Sequence, residues 1–249
     1  MAKTFEALLK AEKEGQRRQE EAVGFEPRVL PTYYKPIRFK FSSQIEEEFH
    51  RLKYNILHTT SGNKIKTLLF LSSNKGEGNS TVLIKFAISL ASDGERVLIV
   101  DANLRAPSFH QRFNLEKEKG LTELFLGKYI LREVIKKTQV NHLSIITSGN
   151  PHPDPFSIFE SASLNSYIEE MKTQTDWVLF DSPPINSYND AVALAVKMDG
   201  VIMVIEAEKT RWETAQEAKK RVENGNKNII GVVLNKRRFY VPKWLYKTL

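Results

Sequence analysis

Runs of Val, Ile and Leu alternate along this chain with stretches whose apolar residues recur every three to four positions. The runs fall at 66–72, 96–102, 143–147, 177–181, 201–206 and 229–234. Helical spacing fills 80–92, 131–137, 164–171, 191–197 and 211–222 between them. Near-continuous apolar strands separated by helices predict an α/β domain with a mostly parallel sheet, covered by helices on both faces. In such sheets ligands bind beyond the carboxyl ends of the strands, so the strand tips are the places to search for chemistry.

The flanks follow other patterns. Residues 1–21 read as a short amphipathic helix with Phe5, Leu8 and Leu9 on one face. Residues 22–41 hold Pro27, Pro31 and Pro36 with no period, as a linker does. The domain proper spans 42–236 and opens with Ser43 and Glu46 at capping-box spacing, followed by Ile45, Phe49, Leu52 and Ile56. A basic, aromatic tail occupies 237–249.

Composition narrows the class. The 249 residues are 41% hydrophobic and 27% charged, ordinary values for a globular protein. No apolar stretch approaches the ~18 residues that span a bilayer, and the N-terminus has no apolar signal core. There are no cysteines, which removes disulfides and thiolate chemistry and fits a reducing compartment. A cytoplasmic protein is expected. The net charge of +7 comes from 37 bases interspersed with 30 acids, which argues against nucleic acid as the partner. Its local excess lies in the tail, where bases interleave with Phe239, Tyr240, Trp244 and Tyr246; anionic lipid, an acidic partner or the domain's own surface would each suit it.

The first strand runs into Ser72-Ser73-Asn74-Lys75-Gly76-Glu77-Gly78-Asn79-Ser80-Thr81, and a helix follows. A glycine turn between strand and helix aims backbone N–H groups at phosphate oxygens. The strict phosphate-loop pattern wants Gly at position 73 and Lys at position 79, and both are missing. Two further strands end in carboxylates, Asp101 and Asp181. One strand-tip Asp is commonly a loop cap; two beside a glycine turn suit a Mg²⁺ held by carboxylates and phosphate.

The set GEGNST, VLIVDANLR, VLFDSPP and GVVLN resembles the bacterial tyrosine kinases of capsule and exopolysaccharide loci, deviant relatives of the P-loop partitioning and division ATPases. The likeness in order and spacing covers about 42–236. It implies a P-loop NTPase-like fold, ATP or ADP with Mg²⁺ as ligands, and a membrane chain-length (co-polymerase) protein as partner at the inner membrane face. It further implies that Gly76, Glu77, Gly78, Asn79, Ser80 and Thr81 wrap the phosphates. Ser80, Asp101 and Asp181 would hold the metal, with Asp101 and Asp181 as catalytic acids, and Asn235 would contact the base.

Three departures bear on activity and a fourth on assembly. Asn79 replaces the loop lysine, whose charge the phosphates need. Losing one aimed group at a transition state costs on the order of 10²–10³ in rate. Lys75 and Lys85 are the nearest sequence candidates to replace it. Asn103 replaces the second acid of the family's DxDxR, and an amide cannot take a proton. The family's tyrosine-rich tail is reduced here to Tyr240 and Tyr246 as acceptors. Finally, the family's ring-forming Glu-x-x-Arg-x-x-Arg reads Glu47, His50 and Lys53, and neither replacement makes the bidentate fork of arginine. Homo-oligomerisation through these three residues and a plain solvated helix face are equally open.

His58, His142 and His152 have no pair at metal-ligand spacing, and Asp190 reads as a helix cap. The sequence therefore predicts a regulatory, catalytically weak or inactive tyrosine-kinase-like protein. An active autokinase and a partitioning- or division-type ATPase are the alternatives. The last is disfavoured by Asn74, where that branch carries an additional lysine.

Overall fold

The computed structural model describes residues 43–59, 65–225, 227 and 229–237. The expected N-terminal helix (1–21), the linker (22–41), and Tyr240 and Tyr246 of the tail lie outside the described residues.

The chain enters with α1 (Ser43–Thr59), whose first turn holds Glu46. It continues through β1 (Thr67–Ser72), α2 (Asn79–Ser92), β2 (Val97–Asp101), α3 (Phe109–Phe113), α4 (Leu121–Phe125) and α5 (Leu131–Val134). Then come β3 (Lys136–Lys137), β4 (Leu143–Ile146), α6 (Pro155–Glu160), α7 (Ser163–Gln174) and β5 (Trp177–Asp181). Last are α8 (Asp190–Ala195), β6 (Gly200–Glu206), α9 (Trp212–Asn224) and β7 (Ile229–Asn235). The seven strands form one sheet in the order β3-β4-β2-β5-β1-β6-β7, parallel except for β3.

Strand alternation divides the apolar side chains between two cores. Leu69, Leu71, Leu98, Val100, Val178 and Phe180 meet Ile158, Phe159, Leu164, Ile168 and Leu194 of α6, α7 and α8 on one face. Leu68, Phe70, Val97, Ile99, Trp177 and Leu179 meet Ile56 of α1 and the apolar side of α2 on the other. Each fully buried side chain of this size contributes roughly 1.5–3 kcal/mol. Burial on both faces is why these strands read as unbroken apolar runs rather than alternating ones.

The sheet is the predicted one. The helix expected at 131–137 is not: one turn forms, and then Lys136 and Lys137 pair antiparallel with Ile145 and Ser144. The β4 edge supplies the hydrogen bonds that a second helical turn would have offered. In addition, Lys136 Nζ is anchored on the carbonyls of Glu116 and Glu118 and on Thr147 Oγ1. No helix among the described residues is long and apolar enough to cross a membrane.

Candidate nucleotide site

The parallel register sets Asp101 beside Asp181 at the tips of β2 and β5, and Phe70 of β1 beside Asp181. Adjacent strands lie about 4.8 Å apart, so the two carboxylates and the start of the glycine loop share one crevice. The predicted convergence is present.

The loop turns at Gly76 (φ +92°) and Gly78 (φ +96°), a conformation few other residues tolerate. Gly78 is doubly constrained, because a Cβ there would lie 2.2 Å from Asn235 Nδ2. Between the glycines, the Glu77 side chain is only 3% exposed and serves the loop itself. Its carboxylate accepts from Ser73 Oγ (2.7 Å), the Asn74 N–H (3.0 Å) and Thr210 Oγ1 (2.6 Å). α2 then begins at Asn79, and the first-turn N–H groups of a helix have no intrahelical acceptor.

Asn79 does not project along the loop. Its amide turns under it and donates to the Phe70 carbonyl at 2.8 Å and to Asp181 Oδ1 at 2.7 Å. Both partners are acceptors, which fixes the orientation of the amide. Ser80 Oγ donates to Asp181 Oδ2 at 2.6 Å, so both oxygens of Asp181 are occupied. Asp101 Oδ2 accepts the N–H groups of Ser108 (3.0 Å) and Phe109 (2.9 Å). Asp101 Oδ1 and Asn79 Oδ1 are buried with no partner among the described residues.

Asp101 is 0% and Asp181 1% exposed. Burial pushes both carboxyls above the usual range; for Asp181 the neighbouring Asp101 adds to the rise. The N–H groups of Phe109 and Ser108, with the charge of Arg112, partly offset it at Asp101. Two such carboxyls titrate as a pair and retain a proton where isolated ones would have lost it.

Ser80 Oγ, the carboxylate of Asp181 and the free oxygen of Asp101 form a hard-oxygen donor set that fits Mg²⁺. Among the described residues no group of three or more acidic or histidine side chains forms a metal cage, so a cation here would draw further ligands from phosphate and water.

The other sequence candidates divide. Thr81 Oγ1 accepts from Arg112 of α3 at 3.3 Å. Asn235 Nδ2 donates to the Glu77 carbonyl at 2.8 Å, which places it on the loop. Asn103 is half-buried, and its Oδ1 accepts the Ala106 N–H at 3.1 Å, capping its own turn. Asp190 is not a cap: it begins α8 with its carboxylate gripped by Arg105 at 2.9 and 3.1 Å, and the Arg105 guanidinium lies 4.6 Å from the Tyr188 ring centre. A buried carboxylate facing a bidentate arginine satisfies charge better than a helix start would.

On α1, Lys53 bonds Asp93 (3.1 Å) and Glu95 (3.0 Å), His50 stands 3.7 Å from Asp93, and Glu47 pairs with Arg51. His50 and Lys53 thus face the α2–β2 turn of their own chain. Of the lysines considered as replacements, Lys75 is exposed and Lys85 is half-buried on α2. The lysine that does touch the loop is Lys236, with Nζ 2.6 Å from the Gly76 carbonyl. Thr210, Arg112 and Lys236 were not foreseen. Only Lys236, next to the GVVLN motif, carried a positional hint.

Two cavities lie elsewhere: one of about 390 Å³ at the starts of β2 and β4, and one of about 420 Å³ between α1 and β7. Neither is lined by the glycine loop.

Residues 64–247 match the ParA family model, described as a NUBPL iron-transfer P-loop NTPase. The chain is 32% identical to the tyrosine-protein kinase CpsD of Streptococcus agalactiae, over 80% of this chain and 86% of that protein. It is 31% identical to the tyrosine-protein kinase YwqD of Bacillus subtilis, over 77% and 81% of the two chains. Among solved structures it is similar to the chimerical protein CapA2B2, with a TM-score of 0.74 and 27% identity over 78% of this chain and 85% of that one.

Proposed function

This chain belongs to the bacterial tyrosine-kinase family, on a ParA-like P-loop fold, and from that premise we propose that it is a regulatory member with weak or absent kinase activity. It would serve exopolysaccharide synthesis or export by binding a membrane chain-length protein at the inner face of the membrane, with nucleotide as a conformational ligand.

One observation carries this reading: the position of the loop lysine holds a neutral amide that is turned inward onto Phe70 and Asp181. A phosphoryl group in flight needs charge stabilisation more than covalent help. Asn79 supplies neither a cation nor a donor free to swing out without breaking two short hydrogen bonds. The rest of the site supports retained binding. Glycines 76 and 78 keep a phosphate-loop backbone, and Ser80, Asp101 and Asp181 would hold the Mg²⁺ that accompanies nucleotide. Bound Mg²⁺ would supply Lewis-acid neutralisation of the phosphate oxygens. The protein's own part would be to orient them and to give up the proton that burial favours on the acidic pair.

The assembled carboxylate pair favours a second reading, an active autokinase using Tyr240 or Tyr246 as acceptor. Incubation with labelled ATP and Mg²⁺ separates the two. The regulatory reading expects little incorporation by the wild type and a gain on the order of 10²–10³ in Asn79→Lys. Vigorous self-phosphorylation by the wild type that disappears in Asp101→Ala would overturn it.

A further inference from the structure

The end of β7 is bonded to the glycine loop at two successive peptide units. Asn235 Nδ2 donates to the Glu77 carbonyl at 2.8 Å, and Lys236 Nζ donates to the Gly76 carbonyl at 2.6 Å. In a trans peptide the C=O and the following N–H point in opposite directions. Drawing the carbonyls of Gly76 and Glu77 toward β7 therefore turns the N–H groups of Glu77 and Gly78 away from it. The backbone on either side is left-handed at Gly76 and Gly78, while Glu77 between them is not. Alternation of this kind gathers successive N–H groups into an anion-binding concavity.

The clamp is itself braced. Lys236 Nζ lies 2.9 Å from Glu206 Oε2, and Thr210 Oγ1 joins Glu77 Oε1 to the Glu206 N–H at 2.6 and 3.0 Å. Gly78 is packed so closely on Asn235 that no side chain fits between them. Lys236 has a left-handed backbone (φ +58°) where the chain leaves the strand.

We infer that Asn235 and Lys236 are positioning residues for polyphosphate: they hold the loop amides in their anion-binding orientation, which lets the site keep phosphate affinity without the loop lysine. Asn235 then acts on the phosphate loop rather than on the base. This rests on the nucleotide-binding part of the proposed function.

The test is calorimetric titration of the full chain, in Mg²⁺, with ADP and with inorganic tripolyphosphate, which has no base. Asn235→Ala and Lys236→Met should each weaken both ligands by about tenfold, the scale of a lost hydrogen bond to a charged group or its carbonyl, and Lys236→Arg should restore most of the loss. If Asn235→Ala weakens ADP and leaves tripolyphosphate unchanged, Asn235 reads the base and the inference fails. Unchanged affinities in both variants also overturn it, while the proposed function stands. A wild type that binds neither ligand defeats both. Lys236 is half exposed at the surface, so its variants decide the matter should Asn235→Ala fail to fold.

Discussion

At the floor of the crevice, Asp101, Asp181 and Asn79 are buried together with two oxygen atoms that no described residue satisfies. Along the loop above them, the Glu77 carboxylate takes three donors, Lys236 bonds two acceptors, and Asn235 links β7 to the Glu77 carbonyl. The floor is costly in the free protein because it conserves a carboxylate pair that burial disfavours. The loop is cheap because its geometry is satisfied from within. In this chain the geometry of the loop and the charge at its floor are thus held by separate sets of side chains.

The largest effect should come from breaking the loop. Glu77→Ala strands three donors, of which Ser73 is fully buried, and should lower the unfolding free energy by ~3 kcal/mol, read from urea denaturation. A loss below about 0.5 kcal/mol would mean that the loop holds its shape without the staple.

The floor should respond in the opposite sense, through pH. A carboxyl raised in the native state binds its proton more tightly there than in the unfolded chain. Between about pH 4, where unfolded carboxyls titrate, and the raised native values, the folded state holds more protons, so stability falls as pH rises. In Mg²⁺-free buffer the thermal midpoint should drop from pH 5.5 to 8, and Asp181→Asn should flatten that drop. A midpoint that climbs over this range in the wild type and climbs equally in Asp181→Asn would show that the pair does not store a proton. The same linkage predicts Mg²⁺ affinity rising with pH, by up to about tenfold per unit, because the cation displaces that proton.

The smallest effect is expected at Asn103. Its side chain is half-buried and caps its own turn, and Asp caps such turns as well as Asn. Asn103→Asp should change nucleotide affinity by less than about threefold. A larger gain would place this position at the floor rather than outside it.

The sheet and the meeting of Asp101, Asp181 and the glycine turn were legible in the sequence, because strands buried on both faces advertise themselves and a parallel sheet delivers every strand tip to one side. What was not legible depended on partners distant in sequence. Asp190 was expected to be a cap from its place before a helix, while its true partner, Arg105, sits 85 positions earlier. The Glu77 bond to Thr210 spans 133 positions and leaves no local trace. The identity of residue 79 was plain, but its rotamer was decided by the Phe70 carbonyl and Asp181, which only the fold brings near. Near Lys136, a four-residue pattern could not distinguish a second helical turn from an edge strand.

Because burial raises both strand-tip acids and one Asp101 oxygen has no partner among the described residues, a cation that seats there near neutral pH should eject hydrogen ion into the medium. The heat of Mg²⁺–nucleotide association will then depend on which buffer captures it. Titrations in PIPES and in Tris, whose ionisation enthalpies differ widely and neither of which contains phosphate, should yield different apparent enthalpies with one common affinity.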